Sequence, residues 1–267
     1  MRNFYDHKVV WVTGASSGIG AAIVLQLAQY NLKLIISARR ETELNNIKEK
    51  CSSLPAEIVV LPFDLEALAT FQSVADKAIE KFGSIDLLFN NGGISQRSLA
   101  KETPLHVDRK IMEVNFFANI QLSKIVLPMM LKKKYGHFVI TSSLSGKFGF
   151  YERSAYAASK HALHGFYESL FLENRDNGIR VTMVCPGSIK TNIGLSALNK
   201  DGLAASAVDA RLEKGMDAEV CAQKIIKAVA KGKKEVIIGK LEIIPIYLKR
   251  FFPSLFWQLM YKLKPQR

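Results

Sequence analysis

Cysteine is scarce in this chain, and its placement excludes two classes of small scaffold. Cys51, Cys185 and Cys221 stand far apart and take part in no CxxC or Cys/His pattern. A disulfide framework and a structural zinc are both disfavoured, and a reducing compartment is the expected home. A chain of 267 residues needs no such staples, because a domain of that size buries roughly three quarters of its unfolded surface. MRNFYDHK is polar and runs straight into a strand, so no secretory signal is expected. Acidic residues are short relative to basic ones, 24 against 37, for a formal charge of +13. The excess is uneven: from Lys231 onward nine Lys and Arg face two Glu. Such a surplus suits nucleic acid, anionic lipid or an anionic ligand.

What is present is an alternation of short apolar runs with helical stretches. Lys8 to Thr13 reads KVVWVT, a buried strand by pattern. GASSGIG follows at once, and then the apolar helix AAIVLQLAQY. Gly14 supplies the tight turn, while Gly18 and Gly20 lack the Cβ that would block a pyrophosphate or the helix–strand approach. Free N–H groups at a helix start attract phosphate. The spacing is G-x-x-x-G-x-G rather than G-x-G-x-x-G, and a plain βα turn is the alternative.

The second strand, Lys33 to Ala38, ends in Arg39-Arg40. In dinucleotide folds an acid at this strand end binds ribose hydroxyls, and an Arg accommodates a 2′-phosphate instead. Ala38 stands where the acid is expected and Arg39 follows, so NADP(H) is favoured over NAD(H). The alternative is a pair of solvated charges at a helix start, where cations are mildly unfavourable.

Glu41 to Ser53 reads as a helix, Glu57 to Leu61 as a third strand and Ile85 to Phe89 as a fourth. Asp64 suits either an adenine amino group or the N-cap of the helix ending near Phe82. Asn90-Asn91-Gly92-Gly93 is a small-residue turn that lets backbone approach a ligand. Thr103 to Lys134 reads as one long helix in which Asn115 interrupts an apolar face and needs partners. Gly136 to Thr141, Ile179 to Val184 and Glu235 to Ile238 complete seven strands, the last after a helix over Asp217 to Ala230. The expected fold is α/β: a Rossmann-like, doubly wound parallel sheet of about seven strands with helices on both faces, in a single domain. Gly14 to Gly20, Asn90 to Gly93, Ser143 and Pro186 all follow carboxyl ends of strands, the edge where such sheets bind ligands.

Tyr156 and Lys160 stand four apart at the start of a helix for which Ser154 is a plausible N-cap. Residues i and i+4 share a face, so an ammonium is expected to draw the phenol's pKa down toward working pH. Tyr156 is then a candidate general acid for a carbonyl becoming an alkoxide, and Ser143 could bond the same oxygen. A Tyr-x-x-x-Lys pair is by itself also what an ordinary helix surface shows.

Together these stretches resemble the short-chain dehydrogenase/reductase family over about residues 7 to 240. The likeness is carried by TGASSGIG at 13–20, Asp64, NNGG at 90–93, Asn115, Ser143, YAASK at 156–160 and PGSIKT at 186–191. It implies Asn115, Ser143, Tyr156 and Lys160 as a catalytic tetrad. It also implies Gly14, Ser16, Gly18, Ile19 and Gly20 at the pyrophosphate and adenosine, Arg39 at a 2′-phosphate and Asp64 at the adenine. Asn91 would lie near the nucleoside ribose, Lys160 on the nicotinamide ribose, Ile189 and Thr191 at the carboxamide. Asn115 would hold a water that relays protons to Lys160. Where the family has NNAG this chain has NNGG, which is expected to loosen the turn. The segment Ser188 to Gly215 is where the family places its mobile lid. No metal is implied.

The expected activity is NADPH-dependent reduction of a ketone or aldehyde on an apolar or lipid-like substrate. A 3-oxoacyl-carrier or small-carbonyl reductase and a non-catalytic NADP-binding module are the alternatives. Phe148, Phe150 and Tyr151 could line an apolar pocket or belong to the core. Residues 241–267 (LEIIPIYLKRFFPSLFWQLMYKLKPQR) form a basic, aromatic, amphipathic tail beyond a main unit at 1–240. Eleven uncharged residues separate Arg250 from Lys262, too few for a span of about 20. The pattern suits a helix on an anionic membrane surface, with Trp257 and Tyr261 at the interface. Packing on its own domain or on a second subunit is the alternative. Interleaved aliphatics speak against nucleic acid. The resemblance implies a dimer or tetramer built on Thr103–Lys134 and Ser154–Asn174. The expected location is cytoplasmic, peripheral on a membrane's cytoplasmic face.

Overall fold

Seven apolar runs pair side by side, each strand parallel to its neighbours, in the order β3-β2-β1-β4-β5-β6-β7. The strands are β1 Val9–Thr13, β2 Lys33–Ser37, β3 Glu57–Val60, β4 Leu87–Asn90, β5 Gly136–Thr141, β6 Ile179–Pro186 and β7 Glu235–Ile238. The computed structural model describes residues 2–204 and 214–262. The helices are α1 (Arg2–Tyr5), α2 (Gly18–Leu27), α3 (Glu41–Lys50), α4 (Phe71–Phe82), α5 (Leu105–Met112), α6 (Ala118–Lys133), α7 (Ser154–Asn174), α8 (Ala218–Ala230), α9 (Ile244–Phe251) and α10 (Pro253–Lys262).

A parallel sheet covered on both faces needs strands that are apolar on both sides, and every residue of β1 and β4 is buried. One face packs on α2 and α8 through Val10, Val12, Ile23, Leu27, Ile225 and Val229. The other packs on α4, α6 and α7 through Trp11, Leu88, Phe71, Leu122, Leu163 and Tyr167. Strand order reverses between β1 and β4, so the chain leaves these neighbours toward opposite faces. The crevice this opens at their carboxyl ends is where such sheets hold ligands.

Three local readings change. The stretch expected as one helix over Thr103–Lys134 is α5 and α6 joined by a π-turn at Glu113–Phe117, with Asn115 inside it. The helical stretch Leu105–Lys133 is 29 residues long and contains an 18-residue window apolar enough to cross a membrane, yet Val114, Ala118, Leu122, Val126 and Met130 are buried inside the protein. Arg153, not Ser154, flanks the start of α7. Asp64 does not cap α4: a 3-10 turn at Leu68–Thr70 intervenes, and Asp64 Oδ1 accepts from the Glu66 N–H at 3.0 Å.

The tail folds back on the domain. Phe256 and Met260 of α10 are buried against Leu144 and Phe148, with Phe150 and Ile246 around them. Burying such side chains contributes about 1.5–3 kcal/mol each. Phe148 and Phe150 thus belong to this cluster. The opposite side of the tail exposes Tyr247, Phe251, Phe252, Leu255, Trp257 and Tyr261.

Candidate active site

The glycine turn is built by close backbone approach. Gly14 (φ +64°) and Gly18 (φ +55°) take the left-handed conformation that side chains disfavour. A Cβ on Gly14 would lie 2.7 Å from Gly92 Cα, and one on Gly20 would lie 2.1 Å from the Gly14 carbonyl. A Cβ on Gly92 would meet the end of the Leu65 side chain, Cδ1, at 2.6 Å, which Leu65 can relieve by turning aside. Ser17 stands at the start of α2 without a side-chain cap, which leaves the first N–H groups of that helix for an anion. Ile19 packs partly buried on the core beside them.

The two arginines after β2 take different positions. Arg40 Nη2 donates to Ser16 Oγ at 3.4 Å, so Arg40 reaches the glycine turn. Arg39 faces the exposed carboxylate of Glu66 at 3.8 Å. Sequence reasoning singled out Arg39 alone. Asn91 ties strand ends together: its amide donates to the Thr13 and Gly14 carbonyls, and its Oδ1 accepts from Thr141. The Thr191 methyl lies over Gly18, 2.9 Å from where a Cβ would be. Ile189 is buried and pairs with Met216. Part of the lid expected at 188–215 falls outside the described residues. Its described part pairs through Leu198 with Gln96.

Asn115, Ser143 and the Tyr156/Lys160 pair come from three places in the chain: the π-turn, the end of β5 and the first turns of α7. Asn115 is fully buried. Its Oδ1 accepts from the Ile94 N–H at 2.8 Å, and its Nδ2 donates to the Ile94 carbonyl and Ser159 Oγ. Those bonds use both amide hydrogens, so a water could reach only Oδ1 or the main chain. Ser143, just past β5, accepts from the Ser145 N–H and hydrogen-bonds Tyr156. Lys160 Nζ donates to the Thr141 carbonyl at 2.8 Å and lies 5.8 Å from the centre of the Tyr156 ring. Gly93 leaves room beside this pair, since a Cβ there would crowd Asn115 Oδ1 at 2.8 Å and face Lys160 Nζ at 3.6 Å.

Burial corrects the expected electrostatics. It pushes the Tyr156 phenol above its usual value, while the Ser143 hydrogen bond and the Arg153 charge pull it back. The Tyr/Lys spacing alone had implied a net fall. Burial also pushes Lys160 down to about 8, which makes it a group that exchanges protons near neutral pH.

Behind Ser142 lies a second polar cluster. His164, Cys185 and Glu235 bring possible ligand atoms within 4.8 Å of one another. Cys185 Sγ faces the His164 Nε2 at 3.7 Å, whereas Glu235 faces Nδ1 at 3.9 Å. One imidazole nitrogen cannot serve both toward a single ion. The Lys147 ammonium, 3.3 Å from Nδ1 and paired with Glu235, already supplies the cation.

Sequence reasoning missed Gln96. It is buried, and it bonds the first main-chain N–H groups of the helix that carries Tyr156. The N–H groups it bonds are some sixty residues away, so no local pattern marks this role.

The sheet order, the crevice at its reversal and the glycine turn facing Tyr156 and Lys160 define a nicotinamide-dinucleotide-binding oxidoreductase fold. The dinucleotide fits the residues present: the glycine turn has no side chain in the way, an uncapped helix start faces it, and Gly93 keeps space open beside Lys160. The short chain dehydrogenase family model matches residues 8–231. A Drosophila melanogaster protein described as "Dehydrogenase/reductase SDR family protein 7-like" is 36% identical over 98% of this chain and 82% of its own length. The human "Dehydrogenase/reductase SDR family member 7" is 36% identical over 97% of this chain and 78% of its own. A short-chain dehydrogenase/reductase from Burkholderia phymatum, solved with NAD, superposes with a TM-score of 0.82 at 25% identity, covering 94% and 95% of the two chains. The alcohol dehydrogenase of Thermococcus sibiricus, solved with 5-hydroxy-NADP, shares the fold at 22% identity and a TM-score of 0.76, over 88% of this chain and 97% of its own. The chain belongs to the short-chain dehydrogenase/reductase family.

Proposed function

We propose that the protein uses NADPH to reduce a ketone or aldehyde on an apolar, lipid-like molecule, and oxidises the alcohol in reverse. One observation carries the reading: the half-buried Tyr156 is hydrogen-bonded to Ser143 and lies beside the buried Lys160, whose ammonium is 5.8 Å from its ring, at the carboxyl edge of the sheet. A bound reduced nicotinamide supplies the hydride to the carbonyl carbon. Tyr156 gives its proton to the carbonyl oxygen as the negative charge develops there, and its raised pKa keeps that proton in place until needed. The Ser143 hydroxyl holds the same oxygen. Lys160, with a pKa near 8, returns a proton to the phenolate and takes one back from solvent.

Arg40 supports a 2′-phosphate site because its guanidinium reaches Ser16 of the glycine turn, and Arg39, exposed and facing Glu66, adds a second positive charge next to it in the chain. Exposed Ile193, Leu195 and Leu203 on the lid support an apolar substrate. The tail's exposed aromatics and its basic surplus support contact with an anionic membrane surface. Exposed Phe117 and Leu172 on the long helices support a subunit contact there. The three buried, free cysteines suit a reducing compartment. A second reading has its own observation. A cleft of about 530 Å³ whose lining includes Lys214, Lys224 and Lys240, with Lys190 paired to Asp217, suits an acidic acyl-carrier partner.

The test is NADPH consumption over ketosteroids, retinal, 3-ketosphinganine, 3-oxoacyl thioesters and small diketones. Turnover confined to the long apolar carbonyls is the expected result, and turnover of thioesters alone would favour the carrier reading. Arg39→Ala and Arg40→Ala should each raise KM for NADPH about tenfold, the effect of one lost charge-assisted contact, with KM for NADH little changed. An equal rise for both cofactors would remove the 2′-phosphate assignment. Separately, sedimentation with phosphatidylserine vesicles should capture the protein. The double change Phe251→Ser, Trp257→Ser should weaken capture about tenfold or more. Unchanged capture would show that the tail is not the contact.

A further inference from the structure

We infer that Gln96 is a positioning residue for Tyr156, capping the first turn of α7 and tying that turn to the segment that covers the site. The inference rests on the reading of Tyr156 as proton donor. Gln96 is 0% exposed. Its Oε1 accepts from the Ala155 N–H at 2.9 Å and from the Tyr156 N–H at 3.2 Å. Its Nε2 lies 3.3 Å from Ser98 Oγ, 3.2 Å from Thr103 Oγ1 and 3.3 Å from Ser154 Oγ.

A helix start leaves its first N–H groups without intrahelical partners, and the residue just before the helix usually supplies the cap. Here that residue is Arg153, which makes no side-chain cap and instead donates to Ser95 Oγ and the Gln96 carbonyl. The cap comes from Gln96, across the fold. The main chain around Gln96 also holds the lid: Arg97 N–H donates to the Leu198 carbonyl at 2.8 Å, and Leu198 N–H donates to the Ser95 carbonyl at 2.9 Å. One residue therefore grips the Tyr156 amide with its side chain while its own segment grips Leu198. A hydroxyl that must meet a carbonyl oxygen is sensitive to such support, because a misplacement of about 1 Å can cost on the order of a hundredfold in rate.

The experiment compares Gln96→Leu, Gln96→Glu and Thr103→Val, on the ketone turned over fastest in the carbonyl panel. Gln96→Leu leaves two N–H groups without an acceptor. Its kcat should fall about 10- to 100-fold, with the NADPH dissociation constant, read by fluorescence, within about threefold of the parent. Gln96→Glu keeps the acceptor oxygens, and its charge is favourable at a helix start. It should recover kcat to within about fivefold of the parent. Its anion also raises the Tyr156 pKa, so the alkaline limb of the reduction profile should move to higher pH. Thr103→Val removes one support of the Gln96 amide and should give a smaller loss in the same sense. A merely structural glutamine would lower the unfolding midpoint while the folded Gln96→Leu protein kept the parent's kcat. The inference is overturned if Gln96→Leu keeps kcat within threefold. It is overturned equally if Gln96→Glu is as impaired as Gln96→Leu with an unmoved limb. Should Gln96→Leu fail to fold, Gln96→Glu and Thr103→Val decide. Tyr156→Phe separates the two failures: an active Tyr156→Phe sinks the functional reading, whereas an inactive one beside a normal Gln96→Leu sinks only the positioning role.

Discussion

Tyr156→Phe should lower turnover about a thousandfold while the NADPH dissociation constant stays within about threefold. The change removes one oxygen from a pocket that is otherwise intact. In the proposed reaction that oxygen carries the proton given to the carbonyl, and a positioned general acid contributes about 10²–10⁴ in rate. Cofactor affinity survives because the glycine turn and the start of α2 stand on other elements. The measurement is single-turnover NADPH oxidation beside a fluorescence titration. Retention of most of the activity would mean that Ser143 or a water supplies the proton, and the assigned roles would be wrong. A matching loss of NADPH binding would make Tyr156 a cofactor ligand first.

Lys160→Met should do two opposite things. Turnover should fall about a hundredfold or more, because the group that restores the Tyr156 proton is gone. Stability at neutral pH should rise, on the order of 1 kcal/mol. The ammonium is buried, and burial lowers its pKa from 10.5 to about 8. Below about pH 8 the folded state holds this charge away from water and bears the full penalty. Between about 8 and 10.5 the folded protein has released the proton while the unfolded chain keeps it. The parent's stability therefore rises with pH across that window. Methionine keeps the apolar stem and removes the charge, at the loss of one hydrogen bond to the Thr141 carbonyl. Urea unfolding at pH 7 and pH 9.5 should show the variant's advantage shrinking as pH rises. A variant less stable at pH 7, or an advantage that grows with pH, would contradict the account.

Much of this architecture could be read from the chain before any coordinates. The seven strands are short apolar runs bounded by turn residues, most of them rich in β-branched side chains, and the glycine turn sits where a strand meets a helix. Lys160 follows Tyr156 by one helical turn, so their shared face was legible as well. What could not be read depends on partners far away in sequence. Gln96 looks like any polar residue in a loop until Ala155 and Tyr156 arrive beside it. Arg39 and Arg40 are adjacent, and only Glu66 and Ser16 tell them apart. The direction of the Tyr156 shift depends on burial, which spacing does not report. The tail's apolar residues are alike in pattern, and the fold decides that Phe256 and Met260 turn inward while Trp257 and Tyr261 stay in solvent.

The π-turn at Glu113–Phe117 has a consequence for how this protein can change over time. A π-turn adds one residue to a helical turn, and each residue of an α-helix advances by about 100° around the axis. On one side of the turn Val107 and Ile111 pack on Ala155 and Leu198. On the other, Leu122, Val126 and Met130 pack in the sheet core. Both faces are aimed correctly only with the extra residue between them. Deleting one residue there would straighten the helix and swing one half out of its seat by about 100°. The length of this stretch is therefore a fixed dimension, and insertions or deletions should be tolerated only in the loops on either side.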